Sequence, residues 1–343
     1  MKVLIFLFLI LINPTKLIYT FSLIFGTILA CSSSSWIIAW VGLEINLISF
    51  TPILINNLRS ANIELTIKYF LVQAIASMIV IIIATTSNFN INSSIIIDQN
   101  ILLIIRLAIK AGVAPFHFWF PQIIAYADWS QAVVVITWQK IAPIILLSFT
   151  LNFFTPFLII SSALVGILGG LNQTSLKKIL TYSSIIHSAW IISIIYINSF
   201  LWWLYFIVYS LLTISVIIPN SILQLNDINR INSIKIQLKT KIIIFINLLS
   251  LAGLPPFIGF SIKIISINAI LYSNFRILIL SILIFSSLVA FYFYSRLIYS
   301  SILIFQNISK LMYSSNKITK LLTISLMLSF LGNIFLSILV LLS

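Results

Sequence analysis

Apolar stretches close to 20 residues long recur from one end of this chain to the other, and nothing else in it limits the available folds so strongly. A stretch of that length crosses a hydrocarbon layer of roughly 30 Å as an α-helix rising 1.5 Å per residue. Of 343 residues, 61% are hydrophobic and only 7% are charged, with a mean hydropathy of +1.21. A soluble chain carries roughly a quarter charged residues, so these residues cannot build a water-exposed surface of normal size. Spans fall at about 15–31, 36–56, 63–86, 95–120, 130–150, 155–171, 174–196, 199–222, 241–272, 277–304 and 320–342. The chain therefore reads as an all-α membrane protein of about eleven transmembrane helices. Residues 1–14 form an apolar lead-in too short to span, with Lys2 near its start and Asn13-Pro14 interrupting its end.

Charge fixes the orientation. The net charge of +14 comes from 19 basic and 5 acidic residues, scattered through short loops and not gathered into a basic domain. That pattern argues against nucleic acid as a partner and fits the rule that basic loops stay inside. Lys2, Lys16, Arg59, Lys177, Lys178, Arg230, Lys235, Lys239, Lys241, Lys310 and Lys317 lie in alternate loops, whereas the opposite loops add little beyond Arg276 and Asp98. The N-terminus is expected inside and, with an odd span count, the C-terminus outside. The abundance of Ile, Phe, Asn, Ser, Lys and Tyr fits an AT-rich genome such as that of many mitochondria.

Ligand chemistry is sparse. There is one cysteine, Cys31, and two histidines, His117 and His187; no CxxC, metal-spaced cluster or GxGxxG after a strand-like run occurs. Disulfides, zinc, iron–sulfur clusters and a Rossmann nucleotide site are therefore not expected.

Two spans carry the same interruption. The fourth reads Lys110-Ala-Gly-Val-Ala-Pro-Phe116 and the ninth Leu251-Ala-Gly-Leu-Pro-Pro-Phe257, with Ala, Gly, Pro and Phe coinciding at an offset of 141 residues. Proline removes a backbone donor and clashes with the preceding turn, so both helices should break, at Gly112 and Pro115 and at Gly253, Pro255 and Pro256. A pair of unrelated proline kinks is the plainer explanation. The matched places, fourth and ninth, favour two five-helix repeats, 15–150 and 151–304, followed by a loop and final helix over 305–343. An odd number of helices per repeat inverts the second copy, and such repeats place transport sites at broken helices.

Ionisable residues also lie far from any loop: Glu44 in span 2, Lys110 beside the first break, Lys140 in span 5, His187 in span 7 and Lys263 beside the second break. A charge at membrane depth costs about 2.5–3.5 kcal/mol, so four unpaired ones would cost roughly 10–14 kcal/mol, as much as the net stability of a domain. They must face the bundle interior, pair or line water. A structural Glu–Lys pair would account for two of them but leaves further lysines unexplained at similar depth. An amine in low dielectric gives up its proton more readily than one in water, as a proton relay requires. His187 is either a further carrier or a histidine bonded to a neighbouring carbonyl or hydroxyl. His117, in Phe116-His-Phe-Trp-Phe120, reads as part of an interfacial aromatic anchor. Arg106, one turn before Lys110, either snorkels or repels the lysine's charge.

Several of these motifs together resemble the antiporter-like membrane subunits of respiratory complex I, in the family of mitochondrial NADH dehydrogenase subunit 2. They are Trp40-Val-Gly-Leu-Glu-Ile-Asn46, Lys110-Ala-Gly-Val-Ala-Pro-Phe-His-Phe-Trp-Phe-Pro121, Thr137-Trp-Gln-Lys-Ile-Ala-Pro143, Gly169-Gly-Leu-Asn-Gln-Thr174, Tyr182-Ser-Ser-Ile-Ile-His187 and Gly253-Leu-Pro-Pro256. They run in order from about residue 13 to 300; residues 305–343 match only in character. The resemblance implies the shortened animal form, in the inner mitochondrial membrane with the N-terminus in the matrix and the C-terminus in the intermembrane space. It implies a Glu44–Lys110 pair in the first half-channel, Lys140 as the connecting residue, Lys263 at the break of the second half and His187 as an intermediate. It also implies no redox cofactor in this chain, with NADH, FMN, iron–sulfur clusters and ubiquinone handled by other subunits, and neighbouring antiporter-like subunits as partners. Arg106 and the lead-in before Asn13 depart from that family's pattern.

Two other functions fit the architecture: a stand-alone antiporter exchanging Na⁺ or K⁺ for H⁺, and a scaffold whose charges only hold helices together. A single mid-membrane carboxylate speaks against the first, because a hard cation wants several oxygen ligands.

Overall fold

The computed structural model describes residues 14–55, 60–88, 94–197, 200–227, 238–255, 257–272 and 277–305. They form an all-helical membrane protein, with seven helices among the described residues long and apolar enough to cross a membrane. The lead-in before Pro14, the final span at 320–342 and Pro256 lie outside the described residues. So do Lys2, Arg59, Arg230, Lys235, Arg276, Lys310 and Lys317. The chain divides into two compact units at Phe154/Thr155.

In the first unit, α1 (Pro14–Ser32) and α2 (Trp36–Leu54) form a hairpin. The Ser35 side chain accepts the Ile38 N–H at 3.4 Å and so starts α2. Small residues bring the two backbones together: a methyl at Gly42 would sit 2.6 Å from the Ala30 nitrogen and 2.8 Å from the Gly26 carbonyl oxygen. Next come α3 (Ser60–Asn88) and α4 (Ser94–Ala111), which pack on each other. Beyond the break lie α5 (Trp119–Tyr126), α6 (Trp129–Ile136) and α7 (Trp138–Ser148).

The fifth span, expected as one helix over 130–150, is interrupted at Thr137 (φ −110°, ψ −69°) between α6 and α7. The Thr137 hydroxyl donates to the Val133 carbonyl at 2.7 Å, a back-bond that competes with the ladder. Pro143, inside α7, leaves the ladder one donor short just beyond it.

The second unit holds α8 (Thr155–Gly170), α9 (Leu176–Ile197), α10 (Leu201–Ile222), α11 (Leu238–Ala252), α12 (Ile258–Tyr272) and α13 (Ile277–Phe305). Its centre is α9, buried along almost its whole length and packed by α8, α10, α12 and α13. The hydroxyls that α9 carries inward, Ser183, Ser184, Ser188 and Ser193, each donate to a carbonyl one turn back, so they need no outside partner as donors. Arg296 on α13 donates to the Leu171 carbonyl at 2.7 Å and to that of Gln173, clamping the α8–α9 turn.

Several basic residues that the sequence suggests are loop charges belong to helix ends: Lys16 to α1, Lys177 and Lys178 to α9, Lys239 and Lys241 to α11. Lys177 and Lys241 are buried.

Candidate functional site

Both expected interruptions are built the same way, and glycine rather than proline ends the helix. At the end of α4, Gly112 takes φ +67°. Its N–H bonds the Ile109 carbonyl at 3.2 Å, and the Val113 N–H reaches back to Ala108 at 3.0 Å. At the end of α11, Gly253 takes φ +83°; its N–H reaches the Ser250 carbonyl at 3.1 Å, and the Leu254 N–H reaches Leu249 at 3.3 Å. A left-handed glycine with these paired bonds is the Schellman stop, which an L side chain would strain. Pro115 and Pro255 follow two to three residues on, where proline bars the helix from resuming at once. The helix restarts at Trp119 in one case and Ile258 in the other.

Helix ends expose carbonyls, and both breaks bring donors to them. In the first, the Trp119 indole N–H donates to the Ile109 carbonyl at 3.0 Å. In the second, the ammonium of Lys263, on α12, donates to the Ala252 carbonyl at 2.6 Å. A cation at a helix C-terminus also meets the negative end of the helix dipole. Gly253 makes that approach possible, since a methyl there would lie 2.9 Å from Lys263 Cδ and 3.0 Å from its Nζ.

In the first unit, Lys110 occupies the last turn of α4, with its Nζ 3.9 Å from Glu44 Oε1 of α2. The lysine side chain is 3% exposed and the glutamate 23%. Lys140, 2% exposed on α7, holds its ammonium 4.9 Å above the centre of the Phe120 ring, a cation–π contact. Arg106 is wholly buried, which rules out snorkelling. His117 is buried too, its Nδ1–H donating to the Pro115 carbonyl at 3.2 Å. Trp119 and Phe120 turn inward with it, and only Phe118 of that cluster points outward. The expected interfacial anchor is thus mostly packing around the break.

In the second unit, His187 shares a 2.9 Å hydrogen bond with the Tyr205 hydroxyl through Nδ1. The Tyr209 ring lies 4.7 Å from the imidazole. Tyr205, Tyr209 and Tyr294 are all buried. Of the two readings of His187, bonding to a neighbouring hydroxyl is present, and a hydrogen-bonded hydroxyl also serves a proton carrier.

Sequence reading passed over these tyrosines. It also passed over two glutamines. Gln139 donates to Asn46 Oδ1 at 2.8 Å, tying α7 to α2 two residues from Glu44. Gln131 donates to the Ile53 and Leu54 carbonyls at 2.9 and 3.0 Å, closing the end of α2. The available signal was the one used for the charges: a polar side chain inside an apolar span has to bond something.

Comparison with known proteins identifies the family. Residues 33–292 match the family model described as NADH:quinone oxidoreductase/Mrp antiporter, transmembrane. NADH-ubiquinone oxidoreductase chain 2 of Anopheles gambiae is 40% identical over 92% of this chain and 94% of its own length. The rabbit (Oryctolagus cuniculus) protein of that name is 36% identical over 83% and 85%. A chain of respiratory complex I from Thermus thermophilus with bound aureothin shares the fold, with a TM-score of 0.79 at 22% identity, over 92% of this chain and 77% of that one. So does a chain of the Mrp complex from Dietzia sp., with a TM-score of 0.73 at 16% identity, over 83% and 59%. This chain therefore belongs to the NADH:quinone oxidoreductase/Mrp antiporter family of membrane proteins, with the NADH-ubiquinone oxidoreductase chain 2 proteins as its relatives.

Proposed function

We propose that this chain is the antiporter-like subunit 2 of mitochondrial complex I and moves protons through lysines buried at its two helix breaks. The observation that carries the reading is Lys110, 3% exposed at the end of a broken helix and 3.9 Å from Glu44. Such an ammonium is too costly to maintain without a partner. A carboxylate beside it holds the proton on nitrogen, and separation lets the proton go. In the first unit a proton leaves the Lys110 ammonium for a water or for Lys140, and the Lys110 amine takes another in return. In the second unit Lys263 and His187 serve in the same way, Lys263 returning to the Ala252 carbonyl when protonated.

Two five-helix inverted repeats, 15–150 and 151–304, with a final helix beyond, are part of the same proposal. The matched glycine stops of α4 and α11 support them, and so does the division into two units. Electron transfer, with its nicotinamide, flavin, iron–sulfur and quinone chemistry, belongs on this reading to other subunits, and neighbouring membrane subunits of the complex are the partners. The chain is expected to purify from inner mitochondrial membranes within a megadalton NADH-oxidising assembly. Recovery as an isolated protein that exchanges Na⁺ or K⁺ for H⁺ in liposomes would support a stand-alone antiporter instead.

Orientation has its own test. Asn172, exposed in the α8–α9 turn, and Tyr196, 39% exposed at the far end of α9, lie at opposite ends of one span. With the N-terminus in the matrix, a cysteine at 172 reacts with an impermeant maleimide from the matrix side, and one at 196 from the intermembrane space. The reverse labelling would invert the topology.

A further inference from the structure

Arg106 has no part in the relay described above, yet it is among the largest fully buried side chains in the protein. It stands four residues before Lys110 on α4, so the two cations share one helix face. Among the described residues no group hydrogen-bonds its Nε, Nη1 or Nη2, and Glu44 Oε1 likewise accepts no hydrogen bond. Glu44 is the carboxylate at this face, its Oε1 3.9 Å from the Nζ of Lys110, one turn along from Arg106. The cluster thus holds two cations and one anion. A guanidinium keeps its charge in a protein, whereas an amine can lose it. Of the two, only Arg106 needs the carboxylate at all times.

We propose that Arg106 is the permanent counter-ion and positioning residue of Glu44, which leaves Lys110 as the one member of the cluster free to lose its proton. For its functional meaning this rests on the relay reading. When Lys110 releases its proton, Glu44 is not left bare, because Arg106 still stands one turn away on the same helix face. The separation of charge that an isolated Glu–Lys pair would suffer at that step is avoided. Water molecules bridging the guanidinium to the carboxylate would satisfy the unpaired N–H groups, each needing two to four polar partners.

The test is second-site rescue of assembly within the intact complex. Glu44→Gln strands Arg106 as a buried charge and should reduce assembled complex by about fivefold or more, the scale on which buried defects change abundance. Adding Arg106→Met should restore the level to within about twofold; adding Lys110→Met should not. Arg106→Met alone leaves Glu44 and Lys110 to hold each other, and it should assemble while translocating fewer protons per NADH. Rescue by Lys110→Met in place of Arg106→Met would overturn the assignment. So would normal assembly of Glu44→Gln, failure of both double variants, or an unaltered proton ratio in Arg106→Met. A Lys110→Met complex that pumps normally would sink the relay reading and leave the rescue result standing.

Discussion

Lys110→Met is expected to assemble at near-normal levels and to lose coupled turnover. Methionine fills the volume of the lysine stem with little strain, and on the proposed arrangement Glu44 keeps the buried Arg106, one turn from Lys110, as its cation. Nothing buried is left uncompensated, so the large penalty for breaking a buried pair, about 3–5 kcal/mol, is not incurred. What disappears is the proton carrier at the first break. A step that depends on a positioned proton-transfer group slows by about 100-fold or more without it. NADH oxidation coupled to ubiquinone should therefore fall to a small fraction of the unaltered rate. Oxidation of NADH by an artificial acceptor, which bypasses the membrane arm, should stay normal. Blue-native electrophoresis with the two activity assays separates these outcomes; loss of assembly together with both activities would make Lys110 a packing residue.

Lys263→Arg is expected to be as damaging to pumping as Lys263→Met. Arginine retains the charge but not the ability to give up the proton. Lys263→Met removes the 2.6 Å bond to Ala252 and leaves that carbonyl unsatisfied, for about 1–3 kcal/mol. Assembly should therefore fall modestly in the methionine variant. If Lys263 only caps α11, arginine should be tolerated and only methionine should harm. Proton translocation of the two variants, normalised to assembled complex, decides between a cap and a carrier.

The seven helices among the described residues that are long and apolar enough to cross a membrane could be read from apolar length alone, because lipid leaves no choice between helix and loop over about 20 residues. The interruptions were visible too, but their cause was misplaced. Proline is conspicuous in Lys110-Ala-Gly-Val-Ala-Pro-Phe116, yet the helix ends at the glycine, whose positive φ permits the closing bonds. The Thr137 interruption was not legible. A threonine back-bond costs the ladder little on its own, and only the backbone shows that it coincides with a break. Glu44, Lys110, Lys140 and Lys263 stood out because charge in an apolar run is rare. Tyr205, Tyr209 and Tyr294 did not, since tyrosine at membrane depth looks like ordinary hydrophobic bulk until its hydroxyl is placed. Arg106 could be noticed in sequence, but snorkelling and repulsion could not be separated without its burial.

On the proposed reading, a lysine at a helix break of this chain carries protons for the complex. The measurement closest to it is the number of protons moved per NADH oxidised, in sealed inner-membrane vesicles carrying Lys110→Met, normalised to assembled complex. A lower ratio than in unaltered vesicles is expected, with artificial-acceptor activity unchanged. An unaltered ratio at normal coupled turnover would mean that the Glu44–Lys110 pair only holds helices together.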